Sequence, residues 1–145
     1  MRTHARHIIV RRKPGEKSKG LLQVAGKVYP CAIGRGGISA LKREGDGATP
    51  PGSMRIVSGY FRADGVKIRA AGLPLKRIRP DSGWCDAVGD RNYNRPVKLP
   101  YPASCETMKR ADNLYDLVLV LDYNLRPRVQ RAGSAIFFHI ARDGL

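Results

Sequence analysis

Sixteen glycines and ten prolines punctuate the 145 residues, so a long regular element has nowhere to run. Glycine supplies turns with positive φ, and proline removes a backbone donor and stops helices. Between these breakers lie apolar segments of strand length, which predicts a mostly-β domain with at most one or two short helices. The segments His7–Arg11, Leu21–Val24, Lys27–Ile33 and Met54–Phe61 read as strands, the second and third joined as a hairpin through Ala25-Gly26. Asp116–Leu121 and Ala135–Ile140 are continuous apolar runs and read as strands buried on both faces. Ser104–Ala111 is the best helix candidate, with Ser104 as its N-cap. Gly83–Pro102 reads as a loop-rich stretch around Trp84, Tyr93 and Tyr101, and Lys42–Gly52 as a long polar turn. With no internal repeat and no linker, residues 1–145 are expected to form a single domain.

Charge narrows the partners. Twenty-seven Lys and Arg against 12 Asp and Glu give a net charge of +15, a surface that attracts polyanions such as nucleic acid or an anionic wall polymer. No apolar run approaches the roughly 20 residues of a spanning helix. Ile8-Ile9-Val10 is no signal-peptide core. Cys31, Cys85 and Cys105 are widely spaced, and His4, His7 and His139 are dispersed, so neither a zinc knuckle nor a disulfide framework is indicated.

Three features invite a chemical reading beside a plain one. Gly34-Arg35-Gly36-Gly37 has neither phosphate-loop spacing, so a turn is the better reading. Tyr60 and Phe61 beside Arg62, with Lys76-Arg77-Ile78-Arg79, could stack bases and track phosphates, although a solvated basic face is the better reading. His139 shares a strand face with Phe137 by alternation. Periodicity alone makes it a hydrogen-bonded histidine before a catalyst.

Four segments in order resemble the L,D-transpeptidase catalytic domain, the YkuD-like family. Lys42-Arg43-Glu44-Gly45-Asp46-Gly47-Ala48-Thr49-Pro50-Pro51-Gly52, preceded by Cys31–Gly36, is similar to the family's glycine–aspartate turn. Gly83-Trp84-Cys85-Asp86 with Asn92-Tyr93-Asn94-Arg95-Pro96-Val97 resembles one subgroup. So does Tyr115–Asn124, which ends in a tyrosine–asparagine pair. Gly133–His139 looks like the strand that carries the family's catalytic histidine. The resemblance runs from about Arg6 to Arg142 and implies a β-sandwich of mixed sheets.

It also implies a chemistry. Family members form a thioester between a cysteine and the stem peptide of peptidoglycan, expel a D-alanine, and pass the acyl group to a second stem peptide as a 3→3 cross-link. No cofactor or metal is involved, and the work is done in the cell envelope. His139 matches the general base and acid that serves the thiolate. The family's [ST]-x-G-C nucleophile segment, some ten residues beyond the histidine, has no match in this sequence, and Cys31, Cys85 and Cys105 all precede His139. The expectation is therefore a domain without its C-terminal catalytic segment, inactive as given, with residues 135–140 left as an under-neighboured strand. The alternative is a non-enzymatic basic module that binds nucleic acid or wall polymer weakly and without sequence preference. A third reading makes one of the three cysteines a substitute nucleophile.

Overall fold

A computed structural model describes residues 7–64 and 72–142 of the chain. Ten strands and no helix occur among them. The described residues fall into two compact units, 7–42 with 46–51, and 43–45 with 52–142.

The first unit is an antiparallel three-stranded meander, β1 (Ile8–Arg12), β2 (Lys19–Val24) and β3 (Lys27–Ala32), followed by a glycine-rich corner. Its hairpin is the one expected. Val24 pairs with Lys27, and the two residues between them, Ala25 and Gly26, have φ of 48° and 74°. Positive φ at both central positions is the turn whose twist matches antiparallel strands. Pro30 sits in an edge strand, where its missing N–H costs no ladder bond.

The glycine corner is a turn built for close approach. The Gly34 amide donates to Thr49 Oγ1 at 2.8 Å and the Gly36 amide to the Gly47 carbonyl at 3.0 Å. A Cβ on Gly34 would stand 2.2 Å from the Gly47 oxygen, and one on Gly36 2.6 Å from the Asp46 oxygen. Asp46 Oδ1 accepts from Lys42 Nζ at 2.6 Å and from the Ala48 amide at 2.8 Å. The donors that a phosphate loop would offer to a ligand are here spent on the chain itself.

The second unit holds two sheets. One is mixed, in the order β10 (Phe137–His139), β9 (Leu117–Leu121), β4 (Ile56–Phe61), β5 (Leu75–Arg77), with β4 and β5 parallel. The other is antiparallel, in the order β7 (Arg95–Lys98), β6 (Ser82–Cys85), β8 (Cys105–Thr107). Trp84, Val118 and Val120 from the strands, with Ile78, Met108, Leu114 and Tyr115 from the segments that flank them, make the core. Trp84 lies edge-on to Phe137 with ring centroids 5.0 Å apart, and to Tyr60 at 6.5 Å. This is the mostly-β sandwich that the sequence predicts.

Four expectations are corrected. The segment 104–111 is no helix: Cys105–Thr107 pairs with β6 instead, because eight residues cannot repay helix nucleation and an open strand edge lies alongside. Gly83–Pro102 is not mainly loop, since it contains most of β6 and all of β7, and Pro96 is tolerated in β7 because that strand is an edge. The run 135–140 is not buried on both faces. Only three of its residues are strand, half-buried or exposed, because β10 pairs with β9 alone among the described residues. Tyr60 is no fully exposed platform: its ring is half-buried, edge-on to Trp84, and only part of it lines the cleft beside Lys76 and Arg77. The strand β9 meets its expectation more closely, with Val118 and Val120 buried on one face and the leucines half-buried on the other.

Candidate active site

His139 closes β10 opposite Val118 of β9 and is exposed. Alternation puts it on the face of Phe137, as the sequence predicts, and both rings meet Tyr115, at 5.2 Å for His139 and 6.1 Å for Phe137. His139 Nδ1 lies 2.9 Å from the Ile140 carbonyl. A carbonyl can only accept, so Nδ1 carries the proton and, in the neutral ring, Nε2 keeps a lone pair. The imidazole is thus backed by an aromatic wall, with its basic nitrogen free of that bond.

Tyr115 is itself held in place. It is buried, its hydroxyl donates to Glu106 Oε1 in a short bond, and Arg110 lies over its ring at 5.2 Å. Burial first, then Glu106, pushes the phenol up, so it stays a proton donor. Burial raises Glu106 as well, against the pull of the Tyr115 hydroxyl and Arg110. Arg110 also grips Asp112 through two bonds, 2.8 and 2.7 Å, which hold that carboxyl down at about 2.

The segment entering β10 is pinned by residues of the two subgroup motifs. Asn94 is buried, with φ of 55°, and its amide is fully used. Oδ1 accepts from Trp84 Nε1 at 3.0 Å and from the Ala135 amide at 3.0 Å, while Nδ2 donates to the carbonyls of Tyr123 at 3.2 Å and Asn124 at 2.8 Å. The Tyr93 hydroxyl donates to Glu44 at 2.6 Å and accepts from the Gly133 amide at 3.0 Å. Asn124 spans its own loop by donating to Val129 and Gly133 carbonyls and accepting from the Val129 amide. Tyr123 donates to the Ala132 carbonyl at 2.8 Å. Sequence reading marks these residues as motif but assigns them no work. Their periodicity is silent because the bonds they make span up to 41 positions.

Neither Cys85 nor Cys105 bonds to His139. Among the described residues, its one hydrogen bond goes to Ile140, and no sulfur shares it. Cys31 is half-buried on β3 of the first unit, and burial raises its thiol. Cys85 and Cys105 face each other across β6 and β8, on the side of that sheet opposite Trp84 and Glu106. Burial raises both, Cys105 to about 11, which keeps them protonated and poorly nucleophilic.

Basic side chains gather elsewhere in this unit. A cleft of about 850 Å³ is lined by Arg62, Arg77, Arg79 and Lys109, and an adjoining one of about 480 Å³ by Lys76, Arg77, Arg79 and Lys98. Arg62 is engaged by Asp64 and Asp116, but Lys76, Arg77, Arg79 and Lys98 have no ion-pair partner among the described residues. No group of three or more metal-ligating side chains and no helix long and apolar enough to cross a membrane occurs among the described residues.

Neither the curated proteins nor the solved structures include a match to this chain. A family model does match, over residues 8–144, and with that span the chain belongs to the L,D-transpeptidase catalytic domain (YkuD) family.

Proposed function

We propose that residues 1–145 are a single L,D-transpeptidase domain whose family reaction is cysteine acyl transfer between peptidoglycan stem peptides, giving 3→3 cross-links. Membership of the family carries the reading, and the setting of His139 supports its role as general base and acid. With Nδ1 donating to Ile140, Nε2 can take a thiol proton and later return one to the departing amine. No bond joins Cys85 or Cys105 to the imidazole, and the two pair with each other across β6 and β8, which supports the reading that the thiol it serves is none of Cys31, Cys85 and Cys105. Residues 1–145 alone therefore bind stem peptide without turning it over.

The test is a titration of residues 1–145 with disaccharide-tetrapeptide, followed by NMR, together with mass spectrometry after carbapenem treatment. Shifts at the His139 ring and at Tyr115, with no cross-linked product and no carbapenem adduct, are expected. An adduct on any of the three cysteines would install that cysteine as nucleophile. An unmoved His139 ring would remove the substrate assignment.

The unpaired cations around Arg77 and Arg79 favour a second reading, a weak polyanion-binding face. If the basic surface neutralised six phosphates, log K would fall against log salt with a slope of about −5. A sequence-selective complex stable at physiological salt would put this reading first.

A further inference from the structure

The register of the antiparallel sheet sets Cys85 directly opposite Cys105. The Asp86 amide donates to the Ser104 carbonyl at 3.2 Å, and the Met108 amide to the Ser82 carbonyl at 3.0 Å. Hydrogen-bonded and non-hydrogen-bonded pairs alternate along such a ladder, so 86/104, 84/106 and 82/108 are the bonded pairs and 85/105 is a non-bonded one. Cα atoms of a non-bonded pair stand about 4.5 Å apart, with side chains drawn together, and disulfides span Cα separations of about 4.4–6.8 Å. Cys85 is fully buried and Cys105 is half-buried.

We infer that Cys85 and Cys105 are a cross-strand dithiol that closes to a disulfide by exchange with a low-molecular-weight disulfide, stapling β8 to β6. Cys105 is the point of entry because it is the more exposed. Its thiolate, a small fraction at mildly alkaline pH because burial holds the thiol at about 11, attacks one sulfur of the oxidant, forming a mixed disulfide and releasing one thiolate. Cys85, having lost its proton, attacks the Cys105 sulfur and expels the second. Two thiols become one disulfide, and the oxidant is reduced to two thiols. The bond fixes the strand that carries Glu106, the partner of the Tyr115 hydroxyl beneath His139. This inference does not depend on the transpeptidase reading.

Oxidised glutathione is the probe. After incubation of the 145-residue chain at mildly alkaline pH, titratable thiols should fall from three to one. The intact mass should drop by about 2 Da, with no glutathione retained. Non-reducing peptide mapping should recover a Cys85–Cys105 link, with Cys31 free. The linked cysteines are 20 positions apart, and closing a loop of that size raises the apparent Tm by roughly 5–10 °C relative to a dithiothreitol-treated sample. Cys31→Ser should leave the closure intact, whereas Cys85→Ser should accumulate a stable glutathione adduct on Cys105. Three thiols surviving in the wild-type chain, an adduct persisting there on Cys105, or a link that includes Cys31 would each overturn the inference. The wild-type map decides even if a variant does not fold.

Discussion

Replacing Asn94 tests how β10 is held. In Asn94→Ala, the Trp84 indole N–H and the Ala135 amide lose their acceptor, and two loop carbonyls lose their donor. A buried donor left unpaired costs about 1–3 kcal/mol. The Trp84 bond is fully buried, whereas the Ala135 bond is only partly so, and water can replace some of the latter. The backbone adds its own contribution: at φ of 55°, alanine lacks the tolerance of asparagine for the left-handed region, worth about 1 kcal/mol. The expected loss is roughly 3–5 kcal/mol, a large share of the 5–15 kcal/mol that holds a domain together. Urea unfolding followed by the fluorescence of Trp84, the only tryptophan, gives the number directly. Asn94→Gly separates the two contributions: it should be milder than Asn94→Ala by about 1 kcal/mol while still losing the side-chain bonds. An Asn94→Ala loss below about 1 kcal/mol at unchanged m-value would refute the reasoning, since it would mean that the four bonds are not what anchors the strand.

Other substitutions read single features. Ala25→Asn should stabilise the first unit by about 1 kcal/mol, because residue 25 sits at φ of 48° in a tight hairpin turn; chemical denaturation measures it, and a neutral result would deny the strain. Gly34→Ala should destabilise by more than the usual 1–3 kcal/mol of overpacking, since the new methyl meets a backbone oxygen at 2.2 Å; a near-neutral Tm would show that the corner yields. Asp112 is held at about 2 by Arg110, so its stabilising contribution is complete above the ordinary carboxylate value of 3.8 and is lost as pH falls through about 2. In Arg110→Gln, the Asp112 carboxyl resonance should titrate near 4, and an unchanged midpoint would deny the pairing.

The fold was legible where local chemistry suffices. Ala25-Gly26 declares a two-residue turn, and the alternating burial of Leu117–Leu121 follows from one face meeting the core. It was illegible where partners lie far along the chain. Cys105–Thr107 carries no strand pattern of its own and becomes a strand because β6 offers it backbone partners. Gly83–Pro102 looks like loop because Pro96 and its neighbours break any period, yet an edge position excuses the proline. His139 was legible by resemblance, and alternation set its face. The supports beneath it were not, because Tyr115, Glu106 and Arg110 come from a turn and a strand that no spacing rule connects to residue 139.

The residues that carry the family likeness divide by what they touch, and the division explains why likeness and catalysis are separable. Gly34 bonds to Thr49, Gly36 to the Gly47 carbonyl, and Asp46 to Lys42 and the Ala48 amide, so their spacing reflects a turn that must pack backbone on backbone. Tyr93, Asn94, Tyr123 and Asn124 spend their polar atoms on the loop that enters β10. These bonds hold the turn and the loop together whether or not a nucleophile is near. His139 keeps Nε2 free of its bond to Ile140, at an edge strand and facing solvent. Loss of a scaffold residue should therefore lower stability and activity together. Replacement of His139 by Gln should leave the unfolding midpoint within about 0.5 kcal/mol, the range of an ordinary surface change, while removing any proton transfer the site performs. A large stability loss in His139→Gln would instead make the imidazole part of the scaffold, through its contact with Tyr115.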